Sequence, residues 1–599
     1  MANLLLITVL LPILAAAFLG GGRAVARWWA LATALVVLSG ACVLAANYRA
    51  GDAAAAATDL SWLSTAAAVD IRFSIALDGL SLWLFTLTAL LVVVAVLISW
   101  ESIRQQETLF YRLLLILETG LLGVFVARDI ILFYLFFEFT LVPLFFLIGI
   151  WGSDQRRYAA VKFFLFTLAG SVLSLLGLLA IVLWVSWHTP GGRITFSIPE
   201  LTQHLQDQPM DAAVQFWVFL ALFAGFAIKV PLFPLHTWLP LAHVEAPAAG
   251  SVLLAGVLLK IGSYGFVRFC LPMLPEASAM LMPLMLWLSL IGIVYGALVA
   301  LAQSDMKRLI AYSSVSHLGF CMLGVFAVNR LAIQGGVLQM INHGLSTGGL
   351  FALVGMLYER YHTRRIADLG GIAREVPLLA FFMVFMALAS IGLPGLNGFA
   401  GELLLLVGIF QRAWAEGPTP LAVQYRVISV LAVSGVALGA WYMLSLVERV
   451  FFGPARQQAG DCPSSGTTPR VVATKTGPGT LGVPSEAREA VRDLDLREVS
   501  ALAPLCVVIV WIGVWPAFFL DRMSPTLDRL SEPVMRSVAG QGREGVARVW
   551  SPLPLRERVM VRGKLARTAC DGLAVGKPLT PALSRKGRGR ETEETARVD

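Results

Sequence analysis

Charge is what this sequence has little of. Only 14% of its 599 residues are Asp, Glu, Lys or Arg, against roughly 25% in an ordinary soluble domain. That deficit excludes a water-soluble globular chain. Cysteine is scarce too. The six present (Cys42, Cys270, Cys321, Cys462, Cys506 and Cys570) are scattered, with no CxxC pair and no Cys/His spacing. They offer no ligand set for zinc or an iron–sulfur cluster and no disulfide framework. A basic surface for nucleic acid is missing as well. The formal charge is +8, but residues 541–599 hold thirteen Lys/Arg and seven Asp/Glu, so +6 sits in the tail and +2 in the rest. No nucleic-acid partner is expected.

Apolar residues are abundant: 57% of the chain is hydrophobic, in long runs from the N-terminus to about residue 520. A run of eighteen or more such residues spans a bilayer as a helix. We read fourteen spans, starting near residues 3, 27, 78, 108, 129, 158, 213, 246, 279, 308, 331, 376, 424 and 500. The fold class is an all-α polytopic membrane protein. The first span has no basic stretch before it and no clear cleavage site, so it reads as retained. Loops starting near residues 20, 101, 152, 243, 304 and 359 carry more Lys and Arg than the alternate loops. This bias places them in the cytoplasm and both termini outside. Two segments differ in composition. Residues 455–490 are rich in Gly, Pro, Ser and Thr, and residues 541–599 in Pro, Gly and Arg. Neither can bury enough apolar surface to fold alone, so both are expected to be disordered. The tail has a second reading, a polybasic anchor for anionic lipid.

Ionisable residues inside the spans are few and costly, at least ~2.5–3.5 kcal/mol each at the bilayer centre. The fourth and fifth spans carry Glu118 and Glu138, the seventh Lys229 and His236, the eighth Lys260. The tenth and eleventh carry His317 and His343, and the twelfth Glu402. Each could be a structural ion pair or a satisfied core histidine. Lys229 and Glu402 stand out because the backbone beside them is broken. Pro231 and Pro234 follow Lys229, while Pro394 and Gly395 precede Glu402. Proline removes an N–H and clashes with the carbonyl four residues earlier. In a bilayer the freed groups must meet protein or water. Two interrupted helices, each with an ionisable residue, are expected of paired half-channels in a transporter built from repeats. Spans four to eight and nine to thirteen are five each, with the broken helix fourth in each. An odd number of spans inverts the second unit. The division is residues 1–107 (spans one to three), 108–270 (first repeat), 279–452 (second repeat), 455–490 (insert), 491–540 (span fourteen and its flank) and 541–599 (tail).

At these residues a resemblance becomes specific. KVPLFPLHTWLPLAHVEAP (229–247), QSDMKRLIAYSSVSHLGF (303–320), NHGLSTGGLF (342–351) and LPGLNGFAGE (393–402) resemble the proton-pumping antiporter-type subunits of respiratory complex I. The likeness covers roughly residues 1–455 and 490–540. Within that family it is to the subunit M group of bacterial NADH–quinone oxidoreductase, where the broken twelfth helix carries Glu and not Lys. Subunit L adds a lateral helix and further spans, whereas this chain offers only a polar tail after Leu520.

The resemblance implies proton translocation through Glu138, Lys229, Lys260 and Glu402, with His236, His317 and His343 as relays. It implies no metal and no cofactor in this chain. NADH, FMN, iron–sulfur clusters and quinone would lie in partner subunits. The partners would be other membrane-arm subunits, neighbouring antiporter-like ones included, in a bacterial inner membrane. The alternative is a subunit of a secondary Na⁺/H⁺ antiporter. A structural scaffold would need dispensable ionisable residues. A quinone-binding enzyme would rest on aromatic-rich helices, which more often serve packing or interface belts.

Overall fold

The computed structural model describes residues 1–64, 69–415, 420–454 and 491–543. Among them are twelve helices long and apolar enough to cross a membrane, and two shorter apolar ones, Ala2–Phe18 and Pro377–Ser390. Together they make the fourteen spans, each beginning within four residues of its expected start. The insert at 455–490 and residues 544–599 of the tail lie outside the described residues.

Burial sorts the spans by their chemistry. The eighth (Ala248–Met273) is almost wholly buried, and so are the central stretches of the tenth (Met306–Phe326) and eleventh (Arg330–Tyr361). These three carry Lys260, His317 and His343. Around them run helices with lipid-type faces, such as the sixth (Arg156–His188) and the thirteenth (Leu421–Phe452), where Leu165, Leu176 and Trp441 are exposed. Central helices approach closely through small residues. A Cβ added to Gly336 of the eleventh span would lie 2.8 Å from the Cys321 carbonyl of the tenth. Such contacts replace the hydrophobic drive that a bilayer cannot supply between helices.

The seventh span ends its first helix at Lys229 and resumes at Trp238–Glu245. The break is bridged locally. Leu232 N–H bonds the Ala227 carbonyl at 2.9 Å, and the Trp238 indole N–H takes the Ile228 carbonyl at 3.0 Å. The twelfth span stops at Ser390 and restarts at Asn397–Ala415. Between them Gly392 and Gly395 take φ of +75° and +90°, which a residue with a side chain rarely adopts. The eighth span is continuous but widened by two π-turns, Leu254–Leu258 and Phe266–Cys270, on either side of Lys260. Such turns recur at functional positions in helices.

Two elements go beyond the helical expectation. The loop between the second and third spans folds as an antiparallel hairpin, Ala55–Ser64 with Val69–Leu77, extended by the short parallel strand Ile194–Thr195. Val69, Ile71, Phe73 and Ile75 alternate with Asp70, Arg72 and Ser74, a period of two that suits a strand with one covered face. The Asp129 carboxylate accepts from Arg72 N–H at 3.1 Å and also caps the fifth span through Ile131 and Leu132. The second concerns the chain after Leu520, which the sequence presents as a polar tail. That reading is corrected: Ala517–Arg543 is a helix. Phe519, Met523, Leu527 and Val534 are buried along it, one apolar stripe on a helix whose composition is otherwise polar.

The return of the chain at residues 491–498 is heavily tied. Asp495 and Glu498 form a reciprocal capping box at the start of the fourteenth span. Arg360, from the eleventh span, makes two hydrogen bonds to the buried Glu498 carboxylate, at 2.9 and 2.6 Å. It also donates to the Arg492 and Asp493 carbonyls. The Asp493 carboxylate accepts from Leu378 and Leu379 N–H, at the start of the twelfth span.

Candidate functional site: a buried polar line between two broken helices

The centre of the site is Lys260. Its ammonium donates to the Ala255 carbonyl, which the first π-turn presents, and lies 2.6 Å from Nδ1 of His343. Both side chains are buried. The His343 ring stands 5.8 Å, centroid to centroid, from that of His317. His317 Nδ1 is 3.5 Å from Oε1 of Glu402, and its Nε2 lies 3.2 Å from both Ser390 Oγ and Tyr442 Oη. Glu402 Oε1 accepts from Gln339 Nε2 at 3.0 Å, and Gln339 Oε1 from Asn342 Nδ2 at 3.1 Å. Asn342 and Asn397 each donate to the other's backbone carbonyl across the twelfth-span break, at 2.7 and 3.3 Å. Lys260, His343, His317 and Glu402 thus form one buried line through four spans.

The first broken helix holds the other end. Lys229 is buried at the last turn of its helix, its Nζ has no hydrogen-bond partner, and it sits 4.5 Å from the Phe137 ring centroid. Glu138 is the next residue on the fifth span, with a buried Oε1 also unpartnered. The two interact electrostatically but form no ion pair within 4.0 Å, and the Glu138 carboxylate is also met by the Ser171 hydroxyl. Lys229 packs directly against the eighth span: a Cβ on Gly262 would lie 2.9 Å from Lys229 Cβ.

His236 is not brought into the line. It is buried beside Phe233, Tyr295 and Tyr312, with Nδ1 unpartnered. Pro231, Pro234, Pro394 and Gly395 all fall in the two non-helical breaks. Glu118 is fully buried with both carboxyl oxygens unpartnered.

Sequence reasoning missed Tyr442, Ser390, Gln339 and Asn342, which frame His317 and Glu402. It also passed over His243, buried face to face with Phe351 at 4.4 Å with both ring nitrogens unpartnered. A second scan of the spans for amides would find Gln339 and Asn342, one helical turn apart beside His343. A larger cavity, of about 780 Å³, lies away from the line, near the hairpin, the Asp78–Arg268 ion pair and Arg128.

Comparison with known proteins gives the family. The family model for the transmembrane NADH:quinone oxidoreductase/Mrp antiporter proteins matches residues 127–420. NADH-quinone oxidoreductase subunit M of Rhodobacter capsulatus is 39% identical over 542 residues, covering 88% of this chain and 96% of that protein. Subunit M of Escherichia coli (strain K12) is 39% identical over 485 residues, covering 80% and 86%. A chain of respiratory complex I from Thermus thermophilus superposes with a TM-score of 0.73 at 32% identity, covering 88% of this chain and 99% of that one. A chain of the Mrp complex from Dietzia shares the fold, with a TM-score of 0.71 at 22% identity over 90% and 99%. The chain belongs to the subunit M family of the NADH-quinone oxidoreductases, as a multi-pass protein of the bacterial inner membrane.

Proposed function

We propose that this chain is a proton-translocating membrane-arm subunit of an NADH–quinone oxidoreductase, driven by redox chemistry in partner subunits. One observation carries the reading. A buried line of ionisable side chains, Lys260, His343, His317 and Glu402, runs from the eighth span to the broken twelfth. A buried charge must be paired or solvated, and a line of groups that can each hold a proton offers both at every step. Lys229 and Glu138 would load the line from the first half, residues 108–270. Glu402 would discharge it through the second, 279–452, the two halves being inverted copies.

The chain itself would hold no redox group. NADH, FMN, iron–sulfur clusters and quinone would belong to partner subunits, and antiporter-like neighbours would flank this one. The Na⁺/H⁺ antiporter reading is supported by the shared family model and fold, and less by identity. The test is pumping linked to NADH oxidation in inverted membrane vesicles, with assembly checked on native gels. Lys260→Ala should assemble and lose most coupled proton transfer. An assembled Lys260→Ala complex that pumps normally would overturn the reading.

A further inference from the structure

In the loop between the seventh and eighth spans, three successive carbonyls take donors from three different elements. Val244 accepts from the Arg364 guanidinium at 2.7 Å, Glu245 from Ser153 N–H at 2.9 Å, and Ala246 from the Lys307 ammonium. The Glu245 carboxylate adds a bond from Gln155 N–H at 3.0 Å. Ser153 and Gln155 belong to the first half of the molecule, Lys307 and Arg364 to the second. The two cations are themselves linked. Met306 N–H bonds the Arg364 carbonyl at 3.0 Å, and the Arg364 guanidinium lies 3.7 Å from Asp305, which caps the tenth span. Lys307 is buried, and among the described residues its ammonium bonds a carbonyl and not a carboxylate. Asp305 and Glu245 act on it by charge alone. A buried ammonium is expensive, and a neutral donor could satisfy one carbonyl. What a cation adds is strength, since a charge-assisted hydrogen bond is roughly twice as strong as a neutral one.

We propose that Lys307 and Arg364 are positioning residues for proton transfer. From the second half they clamp the loop that joins the seventh span to the eighth, and so hold Lys260 in register with His343 and His317. This rests on the proton-translocation reading above. Ala246 stands fourteen residues before Lys260, and Lys307 ten before His317. At 1.5 Å per residue the clamp lies about 21 Å from Lys260 and about 15 Å from His317 along their helices. A slip at the loop therefore moves Lys260 lengthwise against the spans that carry the two histidines. The contact of Lys260 with His343 is 2.6 Å, and a hydrogen bond does not survive an added ångström. The loop also ends the short helix Trp238–Glu245, which follows the break beside Lys229 and needs an anchor at its far end. Lys307 and Arg364 act through the loop and carry no protons themselves. A permanent charge at 307 serves as well as a titrating one.

The experiment uses the whole complex in inverted membrane vesicles and reads protons pumped per NADH oxidised, with assembly checked on native gels. Lys307→Met keeps a long side chain and removes its donor. It should assemble and lower the ratio by about tenfold or more, as a small misplacement of reacting groups does. Arg364→Met should lower it less, since Val244 is one of three anchored carbonyls. The double variant should lose less than the product of the two single losses, because both residues grip one loop. Lys307→Arg should pump near the normal ratio, since a guanidinium still donates to a carbonyl although it does not release its proton. Normal pumping in assembled Lys307→Met or Arg364→Met would overturn the clamp. So would a double variant whose loss equals that product. So would Lys307→Arg as inactive as Lys307→Met, which would make the lysine's own proton the working part. If Lys307→Met fails to assemble, Arg364→Met and Lys307→Arg decide. Lys260→Ala serves as control. If it pumps normally, the proton reading itself falls. If it is dead while Lys307→Met and Arg364→Met pump normally, only the clamp falls.

Discussion

Lys229 sits where a helix stops, with no hydrogen-bond partner for its ammonium and the Phe137 ring 4.5 Å from it. A fixed charge could be supplied there by arginine, but a guanidinium does not release its proton. Lys229→Arg and Lys229→Ala should therefore both assemble and lose most NADH-linked pumping, and normal pumping in Lys229→Arg would show that a permanent charge suffices. Glu402 is held differently, by Gln339 on one side and His317 on the other. Glu402→Gln keeps the shape and removes the titrating group. It should cut pumping strongly in an assembled complex, and a normal rate would reduce Glu402 to a structural acid. Both residues were legible in the sequence because a charge in an apolar run is costly and rare. Tyr442 and Ser390 were not, because a hydroxyl in a span is cheap and common, and only the fold shows which ones reach His317.

Elements were legible to the extent that hydropathy defines them. The spans emerged with starts correct to within four residues. The two breaks announced themselves through proline. The hairpin was missed in spite of its alternating strand, because attention to eighteen-residue runs passes over nine-residue ones. The helix Ala517–Arg543 was missed because Pro525, Pro533 and its charges mask a stripe spaced by four, four and seven residues. The π-turns around Lys260 leave no mark that periodicity can read. Packing at this scale is tight where the seventh and eighth spans meet. A Cβ on Gly262 would fall 2.6 Å from the Phe226 carbonyl and 2.7 Å from Val230 Cγ2, as well as against Lys229. Gly262→Val should cost about 1–3 kcal/mol of stability as overpacking. It should also displace Lys229, lowering pumping more than assembly, and a variant that is normal on both counts would refute this account of the contact.

At the scale of the whole molecule, the even number of spans and the Lys/Arg bias lead us to expect both termini outside. Single cysteines placed in 359–375 should react with an impermeant reagent from the cytoplasmic side, and reaction only from outside would reverse the orientation. The composition of 455–490 gave no reason for it to carry the function. Replacing it with a Gly/Ser linker of equal length should leave assembly and pumping unchanged, and lost assembly would give the segment a role. The eight residues after the insert, 491–498, explain why so foreign a stretch can be carried at all. Closing a flexible loop becomes dearer only slowly, by ≈ 0.6 kcal/mol for each doubling of its length. Arg360, Glu498 and Asp493 fix the incoming strand to the eleventh and twelfth spans by contacts that owe nothing to the preceding residues. The fourteenth span therefore docks by recognition and not by tether. In evolutionary terms this junction is a port: sequence can be added there or rewritten while the membrane core goes on reading the same latch.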